Sequence, residues 1–113
     1  MKSALAVARL ASLAQETRLR VFRMLVEAGP EGMNAGAIAA ALDLAPPTLS
    51  FHVAHLVRAG LVRSRHESRF VYYSAEFPAM DELIAYLTDN CCGGSACLPK
   101  AAAAAARRRR RAA

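Results

Sequence analysis

Three cysteines crowd the C-terminal part of this 113-residue chain: Cys91, Cys92 and Cys97, in the run N-C-C-G-G-S-A-C at 90 to 97. An odd, tightly clustered set makes a poor disulfide framework, and adjacent cysteines pair badly because disulfide geometry is specific. Reduced thiols fit better, which points to a cytoplasmic protein. Soft thiolates select soft, thiophilic ions. Gly93 and Gly94 let the chain bend sharply, so that Cys97 closes a site that Cys91 and Cys92 begin. Three thiolates with no fourth ligand suit a trigonal centre such as As(III) or Sb(III). A closed zinc site asks for a fourth ligand. A histidine from elsewhere would supply one, so zinc and cadmium stay open. Oxidisable surface thiols, in the manner of a redox sensor, are the other reading of the same trio.

A second group of residues has the types and spacing for nucleic-acid binding. From Pro46-Pro47 to Ala59 the pattern is helical. At about 100° per residue, Leu49, Val53, Leu56 and Val57 gather on one side of that helix. Thr48, Phe51, His55 and Arg58 gather on the other, with Ser50 and His52 on the flanks. Hydroxyls bond phosphates or bases, and Phe51 suits thymine methyl groups. Downstream, Arg63, Arg65 and Arg69 suit phosphates or a narrow minor groove. The plainer alternative is a structural helix pair with a solvated polar face. An exposed Phe51 beside Arg-bearing strands favours DNA, whereas His52 and His55 alone prove little.

These residues need elements to hold them. Residues 4–14 read as a helix that is apolar nearly all round and must be covered by something. An amphipathic helix over 16–28 carries Leu19, Phe22, Leu25 and Val26 on one stripe and stops at Gly29-Pro30. Asn34 is an N-cap for a short Ala-rich helix over 35–42. Pro46 and Pro47 fit the first turn of the next helix, and Gly60 closes it. The period then changes to alternation. Two strands, 61–66 and 70–74, form a hairpin with its tip at 66–69. A last helix over 78–90 carries Phe77, Met80, Leu83, Ile84 and Leu87 on or beside one stripe. Two short helices joined by a tight turn and followed by a hairpin describe a winged helix–turn–helix.

Composition bounds the rest. Hydrophobic residues make up 55% of the chain, but 26 of them are Ala, so the large side chains suffice for one small core. No run of 18 apolar residues occurs, which excludes a membrane span. Arg9 splits the first apolar run and charges follow it, so the start is not a signal peptide. Residues 1–99 carry nine basic and nine acidic side chains, and the whole excess of +6 lies in Lys100 and Arg107 to Arg111. Three segments follow: 1–90 as the folded domain, 91–99 as the thiol segment, and 100–113 as an Ala/Arg-rich tail expected to be disordered. No nucleophile–base arrangement, phosphate loop or C-x-x-C pair is present, so an enzyme has no support.

The span from about Leu13 to Leu87 resembles the ArsR family of small bacterial winged-helix repressors that respond to arsenic and metal ions. The resemblance rests on E-T-R-L-R-V-F-R-M-L at 16 to 25, I-A-A-A-L-D-L at 38 to 44, P-T-L-S-F-H-V-A-H-L-V-R-A-G-L-V at 47 to 62 and R-F-V-Y-Y-S at 69 to 74. It implies an α+β, mostly helical winged helix–turn–helix with a two-stranded β-hairpin wing. It also implies a homodimer built from the first and last helices, which would cover the apolar 4–14 segment. Leu5, Leu13, Leu83, Ile84 and Leu87 are then expected at the interface. Thr48, Ser50, Phe51, His52, His55, Arg58, Arg65 and Arg69 are expected to meet double-stranded operator DNA.

Ala45 stands where many members have Ser, and Phe51 where many have Arg, which bears on sequence preference. Some members carry C-x-C near the first helix of the helix–turn–helix. Others bind zinc through Asp and His on the last helix. Neither pattern occurs here. Thiols at the end of the last helix look like the arsenite-responsive subset. The implied protein is an arsenical-resistance repressor, without organic cofactor or membrane partner, released from DNA by arsenite, antimonite or methylarsenite.

Overall fold

Helical and alternating periods become five helices and three strands in the computed structural model, which describes residues 1–94. The order is α1 (Ser3–Leu13), α2 (Glu16–Ala28), β1 (Met33–Asn34), α3 (Ala35–Leu42), α4 (Pro46–Arg58), β2 (Val62–Glu67), β3 (Phe70–Ala75) and α5 (Phe77–Thr88). A short 3-10 segment, Cys91–Gly94, follows α5. Cys97 and the Ala/Arg-rich tail lie outside the described residues.

One core unites these elements. Val21, Phe22 and Leu25 from α2 meet Ile38 from α3 and Leu49, Val53 and Leu56 from α4, with Leu61 and Val62 closing the cluster. Phe22 and Leu25 of α2 and Leu49, Val53 and Leu56 of α4 lie where the sequence stripes put them, but Leu19, expected on the α2 stripe, is exposed and Val21 is buried instead. Burial of these side chains is what holds α3 and α4 in place. The two helices meet at 110°, within the range of a helix–turn–helix. Local chemistry fixes the joint. Asn34 Oδ1 accepts from the Gly36 N–H at 2.7 Å, capping α3. Asp43 takes a left-handed conformation, and the Leu44 N–H turns back to the Ala39 carbonyl. Two prolines start α4, while Ala45 at its N-cap offers no side-chain bond.

The expected two-stranded wing is present as β2 and β3, and the sheet adds a strand to it. The sheet has three antiparallel strands in the order β1-β3-β2, with Met33 opposite Tyr73 and Asn34 opposite Tyr72. A two-residue strand has no period to read. Gly32 allows it: φ is +75° there, and a Cβ would collide with the Tyr73 carbonyl oxygen. The hairpin is also tighter than expected. His66 and Glu67 pair with Val71 and Phe70, which leaves Ser68 and Arg69 as the loop, with Ser68 at φ +58°. Val57, expected on the buried side of α4, is exposed. It faces an open groove toward Ser64, His66, Val71 and Tyr73 on the sheet.

α1 is turned against its composition. Its buried residues are Ala6, Arg9 and Ser12, whereas Leu5, Val7 and Leu10 are exposed. The need for cover read in the sequence therefore persists in the protomer. In α5, Leu83 is buried and Leu87 is 57% exposed.

Candidate nucleic-acid interface and thiol segment

α4 presents the expected face. Thr48, Ser50, Phe51 and Arg58 are exposed, and His52 and His55 are half-buried. No acidic residue occurs on the helix. Phe51 is 62% exposed, a large apolar area to leave in water. Its ring meets His52 edge-on at 5.5 Å and His55 at 5.1 Å. The three rings form an aromatic ledge that keeps Phe51 upright. His52 Nδ1 is buried without a hydrogen-bond partner, so this ring belongs partly to the protein interior. Partial burial, then the charges of Arg18, Arg58 and His52, holds His55 below the ordinary imidazole value of 6.5.

The hairpin arginines are not equivalent. Arg63 Nε donates to Ser74 Oγ at 3.3 Å and pairs with Glu76 at 3.2 Å. Arg65 pairs with Glu67 at 3.0 Å, lies 5.0 Å from the centre of the Tyr72 ring and reaches the Glu31 carbonyl at 3.5 Å. A phosphate would have to displace Glu67 to reach Arg65 fully. Arg69 sits exposed in the hairpin loop, and among the described residues it joins no ion pair. Sequence reading missed Arg18 altogether. Its Nε donates to the Ser12 carbonyl at 2.7 Å, and its charge reaches His55 across from α2. The L-R alternation in α2 gave no hint of that direction.

The expected interface leucines divide into two kinds. Leu13 packs against the core and Leu83 is buried, so both are largely satisfied inside the protomer. Ile84 is half-buried, and Leu5 and Leu87 are exposed. Val7, 63% exposed, and Leu10 join them on the surface.

The thiol segment turns hard immediately after α5. Asn90, Cys92, Gly93 and Gly94 all have positive φ. Cys91 Sγ and Cys92 Sγ are 3.7 Å apart. Two sulfurs bound at about 2.3 Å to one centre, at a near-tetrahedral angle, stand roughly 3.8 Å apart. That spacing therefore fits a two-sulfur bite. Cys92 is disulfide-bonded, which corrects the expectation of reduced thiols there, so its sulfur becomes a ligand only in a reduced chain. Among the described residues no three His, Cys, Asp or Glu side chains gather as a metal site. The third expected ligand, Cys97, lies outside them. No single described helix is long and apolar enough to cross a membrane.

Known proteins share the helix–turn–helix fold. A family model described as a helix-turn-helix domain matches residues 13–65. The transcriptional activator HlyU of Vibrio cholerae serotype O1 is 39% identical over 85 residues, covering 73% of this chain and 76% of that protein. The structure of reduced HlyU from Vibrio cholerae N16961 matches with a TM-score of 0.61 at 37% identity, over 77% of this chain and 92% of that one. An ArsR-like transcriptional regulator from Rhodococcus sp. RHA1 gives 0.66 at 25% identity, over 75% and 77% of the two chains. A possible transcriptional regulator for arsenical resistance gives 0.62 at 28% identity, over 70% and 79%. All of these are transcriptional regulators rather than enzymes.

Proposed function

The chain belongs to the ArsR family of winged-helix transcriptional regulators, and we propose that it is an operator-binding repressor released by trivalent arsenic bound to its cysteines. One juxtaposition carries this reading. A helix–turn–helix with an exposed, acid-free reading face shares the chain with a cysteine segment that begins three residues beyond the last helix. In this reading the chain works as a homodimer, so that two α4 helices enter successive major grooves about 34 Å apart. Thr48, Ser50, Phe51 and His55 read bases, while Arg58 and Arg69 meet phosphates. Arg65 joins them once it exchanges Glu67 for phosphate.

The cysteines lie far in sequence from α4 and act through the dimer rather than by filling the groove. Closing reduced Cys91, Cys92 and Cys97 on one ion ties the segment to the end of α5 and changes how two subunits sit. The ion shifts the balance only by its differential affinity for the two states. Trivalent arsenic fits the soft, three-sulfur donor set, and antimony follows the same chemistry. The likeness to a possible regulator of arsenical resistance supports it.

A second reading, regulation by thiol oxidation, has its own observation. Cys92 is disulfide-bonded, and HlyU, 37% identical, is known in a form named as reduced. One experiment separates the two. Operator binding by the reduced chain is followed by fluorescence anisotropy as arsenite or hydrogen peroxide is added. We expect arsenite to release the wild type and to leave the triple Cys91, Cys92 and Cys97→Ser variant on DNA. Release of that variant by arsenite would eliminate the site. Release of the wild type by peroxide alone would select the redox reading.

A further inference from the structure

Arg9 is the charged side chain that no part of the DNA-binding reading uses, yet it is 8% exposed. Its Nε donates to the Ala59 carbonyl at 3.1 Å and its Nη1 to the Ala79 carbonyl at 3.4 Å. Ala59 is the C-cap of α4 and Ala79 lies in the first turn of α5. No ion pair involves Arg9 among the described residues. A buried guanidinium is thus held by backbone carbonyls of two other helices. The last carbonyls of a helix have no partner within it. At the end of α4, those of Leu56 and Val57 are taken by the N–H groups of Leu61 and Gly60, and that of Ala59 by Arg9. The positive charge also sits at the negative end of the helix dipole.

The fit is close. A Cβ added at Gly60 would lie 3.4 Å from Arg9 Nη2. The same network continues back through α1: Ser12 Oγ donates to the Arg9 carbonyl at 2.7 Å, and Arg18 Nε donates to the Ser12 carbonyl. α1 therefore grips the rest of the chain with hydrogen bonds as well as with Leu13, and these bonds reach Arg18 in α2, the C-cap of α4 and the first turn of α5.

We infer that Arg9 is a positioning residue for DNA recognition, which fixes the C-terminal end of the reading helix to α1 and α5. The inference rests on the DNA-binding reading above. α1 and α5 carry the uncovered apolar surface, so any change in how two subunits pack is passed by Arg9 to the end of α4. Apolar packing alone would let α4 pivot about Leu49, Val53 and Leu56. One planar group that donates to the end of α4 and to α5 opposes the pivot, because a shift of the α4 end relative to α5 stretches the bond to Ala59 while the bond to Ala79 holds the guanidinium in place. Arg9 does not itself touch DNA, since its guanidinium is buried beneath Gly60.

The test compares specific with non-specific binding. A duplex is selected from a random library against the full wild-type chain, and a scrambled duplex of equal length serves as control. Arg9→Met keeps the volume and removes every donor. Arg9→Lys keeps the charge but has one nitrogen for two carbonyls. Affinities are measured at a temperature where circular dichroism shows each variant folded. We expect Arg9→Met to lose about tenfold in affinity for the selected duplex while its affinity for the scrambled duplex stays within about twofold. Arg9→Lys should fall between Arg9→Met and the wild type. A merely structural role would lower the melting temperature and leave the ratio of the two affinities unchanged, and that result overturns the inference. If Arg9→Met does not fold, Arg9→Lys decides alone: a wild-type ratio refutes it. Failure of the wild type to enrich any duplex would instead refute the DNA-binding reading and the inference with it.

Discussion

His55 is half-buried on the reading face of α4, where bound phosphates would bear on its proton. Partial burial and the neighbouring positive charges of Arg18, Arg58 and His52 hold it below 6.5 in the free chain. Phosphates brought against α4 reverse that field and raise it. The bound state then holds more protons than the free state, so operator affinity must rise as pH falls through the interval between the two values. One titrating group adds at most about tenfold per pH unit. His55→Gln should flatten the pH dependence of anisotropy titrations between pH 7.5 and about 5.5. An unchanged slope would remove His55 from the pH dependence. The side of α4 on which His55 lies was legible in the sequence, because a 100° rotation per residue sorts Thr48, Phe51 and Arg58 from Leu49, Val53 and Leu56. The engagement of Arg65 was not. Its partners Glu31, Glu67 and Tyr72 come together only through the strand register. Arg9 was invisible for the opposite reason: one charge in an Ala-rich helix looks like a solvated residue.

At the scale of elements, α4 begins in an unusual way. Ala45 at the N-cap lacks the oxygen that would accept from the first turn. Pro46 and Pro47 have no N–H at all, and the Thr48 N–H already bonds the Ala45 carbonyl at 3.0 Å. Pro47 has thus removed one of the two donors that a cap would serve, which explains why alanine is tolerated. Ala45→Ser should raise stability by only about 0.5 kcal/mol, the low end of capping effects. In a Pro47→Ala background the restored N–H should lift that gain to about 1 kcal/mol. Denaturant unfolding of the four chains measures the coupling directly, and equal gains in both backgrounds would refute it. Elements with a period were readable in this way, caps included. β1 was not, since Met33 and Asn34 are too few to alternate and Gly32 reads as an ordinary turn residue. α1 was read as a helix but not in its orientation. Apolar residues run nearly all round it, so composition names no inner side; Arg9 and Ser12 take that side through their hydrogen bonds and leave Leu5 and Leu10 outside.

For the whole molecule, that inversion becomes a demand for a partner. Val7, Leu10 and Leu87 leave more apolar surface on α1 and α5 than a folded chain of this size gains by exposing, and the reading of α4 as one half of a DNA-binding pair asks for a second copy. An isologous interface through these helices meets both needs. It also separates two leucines that the sequence grouped together. Leu83 is buried in the protomer at 6% exposure and Leu87 is 57% exposed. Glutamate at the first position puts an unpaired charge in the interior, so Leu83→Glu should lose about 3 kcal/mol or more and unfold at modest denaturant. Glutamate at the second meets water in a lone protomer and a partner in a dimer. Leu87→Glu should therefore keep a wild-type circular dichroism spectrum, sediment as a monomer and bind the selected duplex far more weakly, because each monomer reaches one half-site. Val7→Glu makes the same test for α1, since Val7 is the more exposed of the two: a monomer would put α1 in the interface beside α5. A Leu87→Glu chain that still sediments as a dimer would move the interface off α5, and a monomeric wild type would remove it altogether.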